Sequence, residues 1–165
     1  MSQKQAELTL VLLAFASLCA GSAVYLFDRG GDALLVSGTL AAMLPDRQLF
    51  GGLSGSLPTF AHAFAFALLT AAALGLRARR AMPVCLAWAV IDALFELGQL
   101  DAAQGTVGAT IPDWFANVWL LDRTRAYFAL GTFDIADLCS IVLGAAAAYL
   151  LIRALTAGES DDARA

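Results

Sequence analysis

Four runs of 20 predominantly apolar residues are the feature that most constrains the fold of this 165-residue chain. A helix needs about 20 such residues to cross the hydrocarbon core of a bilayer, at a rise of about 1.5 Å per residue. Hydrophobic residues make up 60% of the chain and the mean hydropathy is +0.74, well above the range of soluble globular domains. The sequence therefore predicts an integral membrane protein with spans at about residues 8–27, 57–76, 81–100 and 133–152.

The spans are predicted to be α-helices, because a backbone in lipid must satisfy its own hydrogen bonds and the runs lack the alternating pattern of barrel strands. The predicted fold is all-α, a bundle of four transmembrane helices forming one domain over residues 1–165, with a tail at 153–165. The first run follows Lys4 and contains "CAGSA", so a cleaved secretory signal is the alternative. We favour a span, because a signal core has only about 7–15 apolar residues.

The short "RARR" segment at residues 77–80 decides the predicted orientation, because basic residues in short loops favour the cytoplasmic side. This choice puts six basic residues inside, Lys4, Arg77, Arg79, Arg80, Arg153 and Arg164, and four outside, Arg29, Arg47, Arg123 and Arg125. The prediction is a multi-pass protein of the bacterial cytoplasmic membrane with both termini in the cytoplasm.

Two outward loops are expected to contain interfacial segments. Residues 33–45 are apolar but too short to span, which favours a helix lying in the interface and leaves a re-entrant segment as the alternative. The loop at 101–132 contains "IPDWFANVWLL", with Trp114 and Trp119. Tryptophan prefers the headgroup level, so an interfacial anchor is the first interpretation, and a substrate-stacking surface that includes Trp114 is the second.

Several function classes are not indicated. The three cysteines, Cys19, Cys85 and Cys139, lie within predicted spans and form no CxxC pair, so we expect neither a disulfide nor a thiolate metal site. The net charge is −4 and no basic groove is evident, so nucleic acid is not an expected partner. The expected partner is the lipid bilayer, and a homo-oligomer is left open.

The stretch "IDALFELGQL" at residues 91–100 carries polar side chains inside a predicted span. Asp92, Glu96 and Gln99 follow one another at i, i+4 and i+7, so they share one face of a helix. A carboxylate near the bilayer centre costs about 2.5–3.5 kcal/mol on insertion scales, far more than a leucine contributes. This face is therefore predicted to point at other helices.

The rise per residue of a helix predicts which side chains of other spans lie at the same depth as the polar face of the third span. Measured from the outer ends of the predicted spans, Glu96 and Asp137 lie about 6 Å deep and His62 about 8 Å deep. Asp92 lies about 12 Å deep, nearer the midplane. We therefore expect His62, the only histidine, to meet Glu96 and Asp137 near the outer leaflet.

The fourth predicted span carries further polar and small residues on one side. Asp134 and Asp137 share a face at i, i+3, and Ser140, Gly144 and Ala148 continue roughly the same side. The candidate catalytic residues are His62, Glu96, Asp134 and Asp137, and the candidate substrate-binding residues are Gln99, Asp92 and Trp114. Two other interpretations stay open, a satisfied buried histidine and a polar cluster that only joins helices.

Three motifs resemble the VanZ-like family of multi-pass membrane proteins: "PTFAHAFAFALL", "FELGQ" and "FDIADLCSIVLG". The resemblance covers residues 57–152 and implies that the family's polar positions correspond to His62, Glu96, Gln99, Asp134, Asp137 and Gly144. The chain departs from the family pattern at "GTF", where an arginine often precedes the aspartates, and at Ile141, where an asparagine often stands. The resemblance implies a link to glycopeptide (teicoplanin) resistance.

The functional hypothesis is a cell-envelope protein that binds or acts on a lipid-linked or headgroup substrate at the outer leaflet through this cluster. Acid/base catalysis by histidine and a carboxylate, or a divalent cation held by the oxygens, would make it an enzyme, and the sequence leaves this undecided because HExxH and GxSxG are absent. No cofactor is indicated. The alternatives are a small transporter or proton relay using Asp92, and a structural membrane partner.

Overall fold

A computed structural model of the protein describes residues 2–28, 49–119 and 121–157. Over these ranges the chain forms α-helices and two short 3₁₀ helices without any β-strand, which confirms the all-α prediction. The α-helices are α1 (Gln3–Phe27), α2 (Leu57–Ala73), α3 (Ala78–Leu97), α4 (Asp101–Thr110), α5 (Thr124–Leu130) and α6 (Ile135–Thr156). The 3₁₀ helices are Gly51–Leu53 and Asp113–Asn117.

Two of these helices, α1 and α6, are long and apolar enough to cross a membrane, and α3 with α4 would be a third if the bent pair counts as one span. The second predicted span, residues 57–76, corresponds to α2, an apolar helix of 17 residues that is shorter than the two long spans. A membrane location therefore has structural support from two to three candidate spans. The predicted third span does not form one straight helix, because α3 ends at Leu97 and α4 leaves it at an angle of 105°.

Local hydrogen bonds define where the long helices begin and end. Ser2 and Gln5 form a capping box at the start of α1, in which each side chain bonds the other residue's backbone amide. At the other end of α1, the Asp28 carboxylate accepts hydrogen bonds from the amides of Leu49 and Phe50. Asp134 caps α6 by accepting a hydrogen bond of 2.8 Å from the Ala136 amide.

Helix α2 lies at the centre of the bundle, packed against α1 and α6, while α3 packs mainly against α6. Its buried positions are mostly alanine, which lets the neighbouring helices approach closely. A Cβ at Gly21 of α1 would lie 3.1 Å from the Cβ of Ala61, and a Cβ at Gly144 of α6 would lie 2.6 Å from the Phe60 carbonyl oxygen. Small residues therefore set both helix spacings, and the small stripe predicted on α6 is confirmed as packing at Gly144 and Ala148.

The four long helices alternate in direction. The Ala78 amide at the start of α3 donates to Thr156 Oγ1 at the end of α6, and Gln3 of α1 lies beside Gly75 at the end of α2. We call this side of the bundle the arginine end, because it includes the Arg77–Arg80 stretch. The opposite side, which we call the carboxylate end, contains the starts of α2 and α6 and the ends of α1 and α3.

The loop predicted at 101–132 contains α4, a 3₁₀ helix and α5. The interfacial or re-entrant segment predicted at residues 33–45 lies outside the described residues. The tail was predicted to begin at residue 153, but α6 continues to Thr156, four residues beyond the apolar run.

Candidate functional site

The polar face of α3 is buried, as its spacing predicts. Asp92 and Glu96 of α3 are 8% and 5% exposed, whereas Leu94 and Phe95 of the same turns are exposed. Gln99 was expected on the same helix face but lies beyond the end of α3 at Leu97, and it is buried there, 7% exposed. Apolar side chains that lie outward are typical of a helix that meets lipid on one side, and polar side chains then occupy the side that contacts other helices. The structure confirms that this face points into the bundle.

Glu96 joins the end of α3 to the start of α6. Its Oε1 accepts a hydrogen bond of 2.7 Å from the Asp134 amide, one of the amides that a helix start leaves unpaired. Its Oε2 accepts a longer bond of 3.3 Å from Gln99 Nε2. Because both oxygens are engaged within the protein, Glu96 acts first as a link between two helices.

Gln99 extends this link to the loop helices. Its Nε2 donates a hydrogen bond of 2.7 Å to the Tyr127 hydroxyl oxygen on α5, and its backbone carbonyl accepts from Gln104 Nε2 on α4. Gln104 Nε2 also donates to the carbonyl of Gly131 just after α5. The end of α3 is thus bonded to α4, α5 and the start of α6.

Tyr127, Gln104 and Gly131 belong to this network, and sequence reasoning missed all three. No sequence signal singles out Tyr127 or Gln104, because their roles depend on how the loop folds back. Gly131 is required by close approach, since a Cβ there would lie 2.6 Å from the Tyr127 carbonyl oxygen and would also clash with the Gln99 side chain. A glycine directly before a predicted span is a weak signal that could have drawn attention to it.

Burial raises the pKa of the Tyr127 hydroxyl to about 12. Among the electrostatic contributions, the charge of Glu96 is the largest, followed by those of Tyr25, Asp137 and Asp92. The hydroxyl therefore stays protonated at neutral pH.

His62 pairs with Asp92 rather than with Glu96. Its Nδ1 lies 2.9 Å from Asp92 Oδ1, and the imidazole is 48% exposed while the carboxylate is 8% exposed. The expectation that His62 meets Glu96 is corrected by where α3 ends. Counted from Leu97 rather than Leu100, Asp92 lies about 8 Å from the helix end, the same depth as His62 in α2, whereas Glu96 lies in the last turn.

Aromatic side chains surround the exposed imidazole. The His62 ring centroid lies 4.3 Å from that of Phe66 and 6.2 Å from that of Trp88. Trp88 Nε1 donates a hydrogen bond of 2.9 Å to Thr70 Oγ1, which holds the indole between α2 and α3. The imidazole is therefore fixed by a carboxylate on one side and by aromatic rings on another.

The other candidate residues, Asp134, Asp137 and Trp114, differ in exposure and in their contacts. The Asp134 side chain is exposed and serves as the α6 cap. Asp137 is half-buried, and its Oδ1 is buried without a hydrogen-bond partner among the described residues. Trp114 is 57% exposed, and its described ring contact is with Phe115 rather than with the polar cluster.

A metal centre has no geometric support in the part of the chain that the structure describes. No three His, Cys, Asp or Glu side chains there are arranged to hold a metal ion.

A scan against protein-family models and searches of curated proteins and of solved structures find no match to this chain. The resemblance to the VanZ-like family stays a prediction from the three motifs. The functional interpretation therefore depends on the geometry of the side chains.

Proposed function

We propose that the protein is a four-span protein of the bacterial cytoplasmic membrane, with both termini in the cytoplasm and the carboxylate end at the outer leaflet. The support is the alternation of the helices and the central position of α2. Since α2 packs along both α1 and α6, it shares their depth, and its 17 residues are at the lower limit for a span. The Arg77–Arg80 stretch at the opposite end favours the cytoplasmic side.

Single cysteines test this topology in a background where Cys19, Cys85 and Cys139 are replaced by serine or alanine. We expect Gly105→Cys in α4 to react with a membrane-impermeant maleimide added to intact cells. Arg79→Cys should react only after permeabilisation, because it lies at the arginine end. Labelling of residue 79 but not residue 105 in intact cells would reverse the proposed orientation.

For the function, we propose that the protein binds or acts on a lipid-linked or headgroup substrate through His62. The observation that carries this proposal is the pair formed by the half-exposed imidazole and the buried Asp92 carboxylate, 2.9 Å apart. When Nδ1 donates its hydrogen to the carboxylate, Nε2 becomes an acceptor that faces away from the carboxylate. Asp92 is thus a positioning residue for His62.

The depth of His62 favours an amphiphilic substrate. The ring lies about 8 Å inside the end of α2, beside Phe66 and Trp88. A water-soluble molecule would have to leave the aqueous phase to reach it, whereas a lipid-linked molecule already lies at this depth with its headgroup nearby. The imidazole could bond a headgroup oxygen or accept a proton from it, and only the second role would make the protein an enzyme.

The remaining candidates fit supporting roles in this proposal. Glu96, Gln99 and Asp134 hold the ends of α3 and α6 together beside His62. A purely structural cluster is the competing function, and it is favoured by the complete engagement of Glu96. A structural role does not require a half-exposed, oriented imidazole. Substitution of His62 therefore distinguishes substrate binding from a purely structural role.

Lipid co-purification tests the proposal. The protein is extracted from bacterial membranes in a mild detergent, and bound amphiphiles are identified by native mass spectrometry. We expect the wild type to retain a specific lipid-linked species, His62→Gln to lose it at least tenfold, and Asp92→Asn to lose it partly because the imidazole is less well oriented. Gly105→Ala in α4, whose Cβ would have no neighbour within 4 Å, is the matched control.

A cellular readout follows from the VanZ-like resemblance. We expect teicoplanin susceptibility to rise when His62→Gln replaces the wild type in an expressing strain, at unchanged protein level. Wild-type lipid retention by both His62→Gln and Asp92→Asn would mean that the cluster joins helices only. If teicoplanin susceptibility is the same with and without the wild-type protein, the proposed link to teicoplanin is wrong.

A further inference from the structure

The bundle leaves one side of α2 uncovered by other helices. Helix α6 packs against α2 and α3 and also contacts α1, whereas α1 and α3 make no extensive contact with each other over their described residues. A gap therefore runs between α1 and α3, on the side of α2 that lies away from α6. We call this gap the α1–α3 groove, and α2 forms its floor.

The floor of the groove differs in residue type from the faces of α2 that pack against helices. Ala61 and Ala63 are buried, and they lie beside glycines of α1 and α6. The open face instead carries His62, whose side chain is 48% exposed, and the half-buried Phe66 four residues further on. Close packing of helices in membranes favours small residues, so this aromatic face does not match the packing of another helix.

The α3 wall of the groove continues the aromatic surface. The half-buried Trp88 ring lies against Phe66, with ring centroids 4.8 Å apart, and its Nε1 donates a hydrogen bond of 2.9 Å to Thr70 Oγ1. This bond satisfies the one polar atom of the indole inside the protein, so the rest of the ring is apolar surface. The hydrogen bond and the ring contact also hold both rings in place.

The groove is polar near the carboxylate end and apolar further in, which is the order of groups in a membrane lipid. Phe66 lies about 6 Å further from the carboxylate end than His62, because four helical residues separate them. A lipid has its headgroup near the end of a span and its chains directed toward the bilayer centre. A lipid whose headgroup meets His62 therefore places the first carbons of a chain beside Phe66 and Trp88.

We infer that the α1–α3 groove binds one hydrocarbon chain of the lipid whose headgroup contacts His62. The inference rests on the proposed function and adds the chain to the headgroup as a recognised part of the substrate. Because lipid chains are as apolar as the groove, selectivity for a bound chain comes from dispersion contacts with the two fixed rings.

Trp88 fluorescence tests the inference in a variant with Trp114→Phe and Trp119→Phe, since the chain has three tryptophans. The probe is phosphatidylethanolamine with a dibrominated acyl chain, added to the purified protein in a maltoside detergent. We expect quenching that saturates at about one lipid per protein, because a defined site fills whereas random contact in micelles does not.

Phe66→Ala in this background should raise the half-saturating lipid concentration about fivefold, because one of the two rings no longer contacts the chain. Phe66→Leu keeps apolar bulk and should have a smaller effect, and circular dichroism verifies that both variants are folded. Phe15→Ala is the matched control, since Phe15 is 66% exposed near the middle of α1. It should leave the quenching curve unchanged.

The outcomes separate the groove from the headgroup site. If His62→Gln loses the co-purified lipid but Phe66→Ala leaves the quenching curve unchanged, the groove inference is overturned and the proposed function stands. Weaker quenching in Phe66→Ala with full lipid retention by His62→Gln would support a chain site and contradict the role of His62. Quenching that never saturates would overturn the inference, and so would a dimer in which Trp88 is protected, because a second copy would then fill the groove.

Discussion

Gly144→Leu is expected to separate α2 from α6 and to destabilise the bundle by about 1–3 kcal/mol, the usual cost of overpacking. Even a Cβ at this position would lie 2.6 Å from the Phe60 carbonyl oxygen and 3.3 Å from the Phe64 amide nitrogen. These are backbone atoms of the central helix, so no side-chain rotation relieves the clash. Thermal unfolding in detergent, followed by circular dichroism, measures the expected fall in Tm.

Gly105→Ala provides the control for this prediction. Gly105 is also helical, but a Cβ there would have no neighbour within 4 Å. Alanine should therefore leave stability unchanged or raise it by about 0.5–1 kcal/mol through helix propensity. An unchanged Tm for Gly144→Leu would mean that α2 and α6 are not packed as closely as described.

Glu96→Ala is expected to destabilise the carboxylate end by about 1.5–3 kcal/mol, the range for hydrogen bonds to charged groups. The substitution removes the acceptor of the Asp134 amide and one partner of Gln99. Glu96→Gln keeps an oxygen that can accept from Asp134, so its cost should be clearly smaller. Hydrogen exchange at the Asp134 amide, together with the Tm, measures both effects.

Asp101→Ala is the matched acidic control, because Asp101 is exposed in the first turn of α4. It should change stability by only a few tenths of a kcal/mol. If Glu96→Ala is no more destabilising than Asp101→Ala, and the Asp134 amide exchanges no faster, Glu96 does not join the two helices.

The burial of the α3 polar face was predictable because it depends on local spacing. Asp92 and Glu96, at i and i+4, share a helix face wherever the helix lies, and charged side chains avoid lipid. Gln99, at i+7, lies beyond the end of α3, so its burial comes from the turn that follows the helix. The partners on that face were less predictable. His62 meets Asp92 because α3 stops at Leu97, and a shift of three residues moves each side chain by about 4.5 Å along the axis.

The loop between α3 and α6 shows the same limit. Its aromatic residues predicted an interface anchor, but nothing in the spacing indicated that Tyr127 would reach Gln99 or that Gln104 would bond Gly131. These contacts require α4 to leave α3 at 105° and α5 to return over the helix end. Such a path depends on close contacts, such as that of Gly98 with the Phe128 ring, rather than on hydrophobic periodicity.

The helical class, the approximate positions of the long helices and the inward direction of Asp92 and Glu96 could be predicted from the sequence. The length of an apolar run and the spacing of polar residues along a helix are local properties of each segment. The pairing of His62 with Asp92 and that of Glu96 with the start of α6 became evident only from the folded chain. Those pairings depend on the relative depth and spacing of separate helices. Small residues such as Gly144 set that spacing, because they let the backbones of two helices approach closely. Such contacts join residues that are far apart in the sequence.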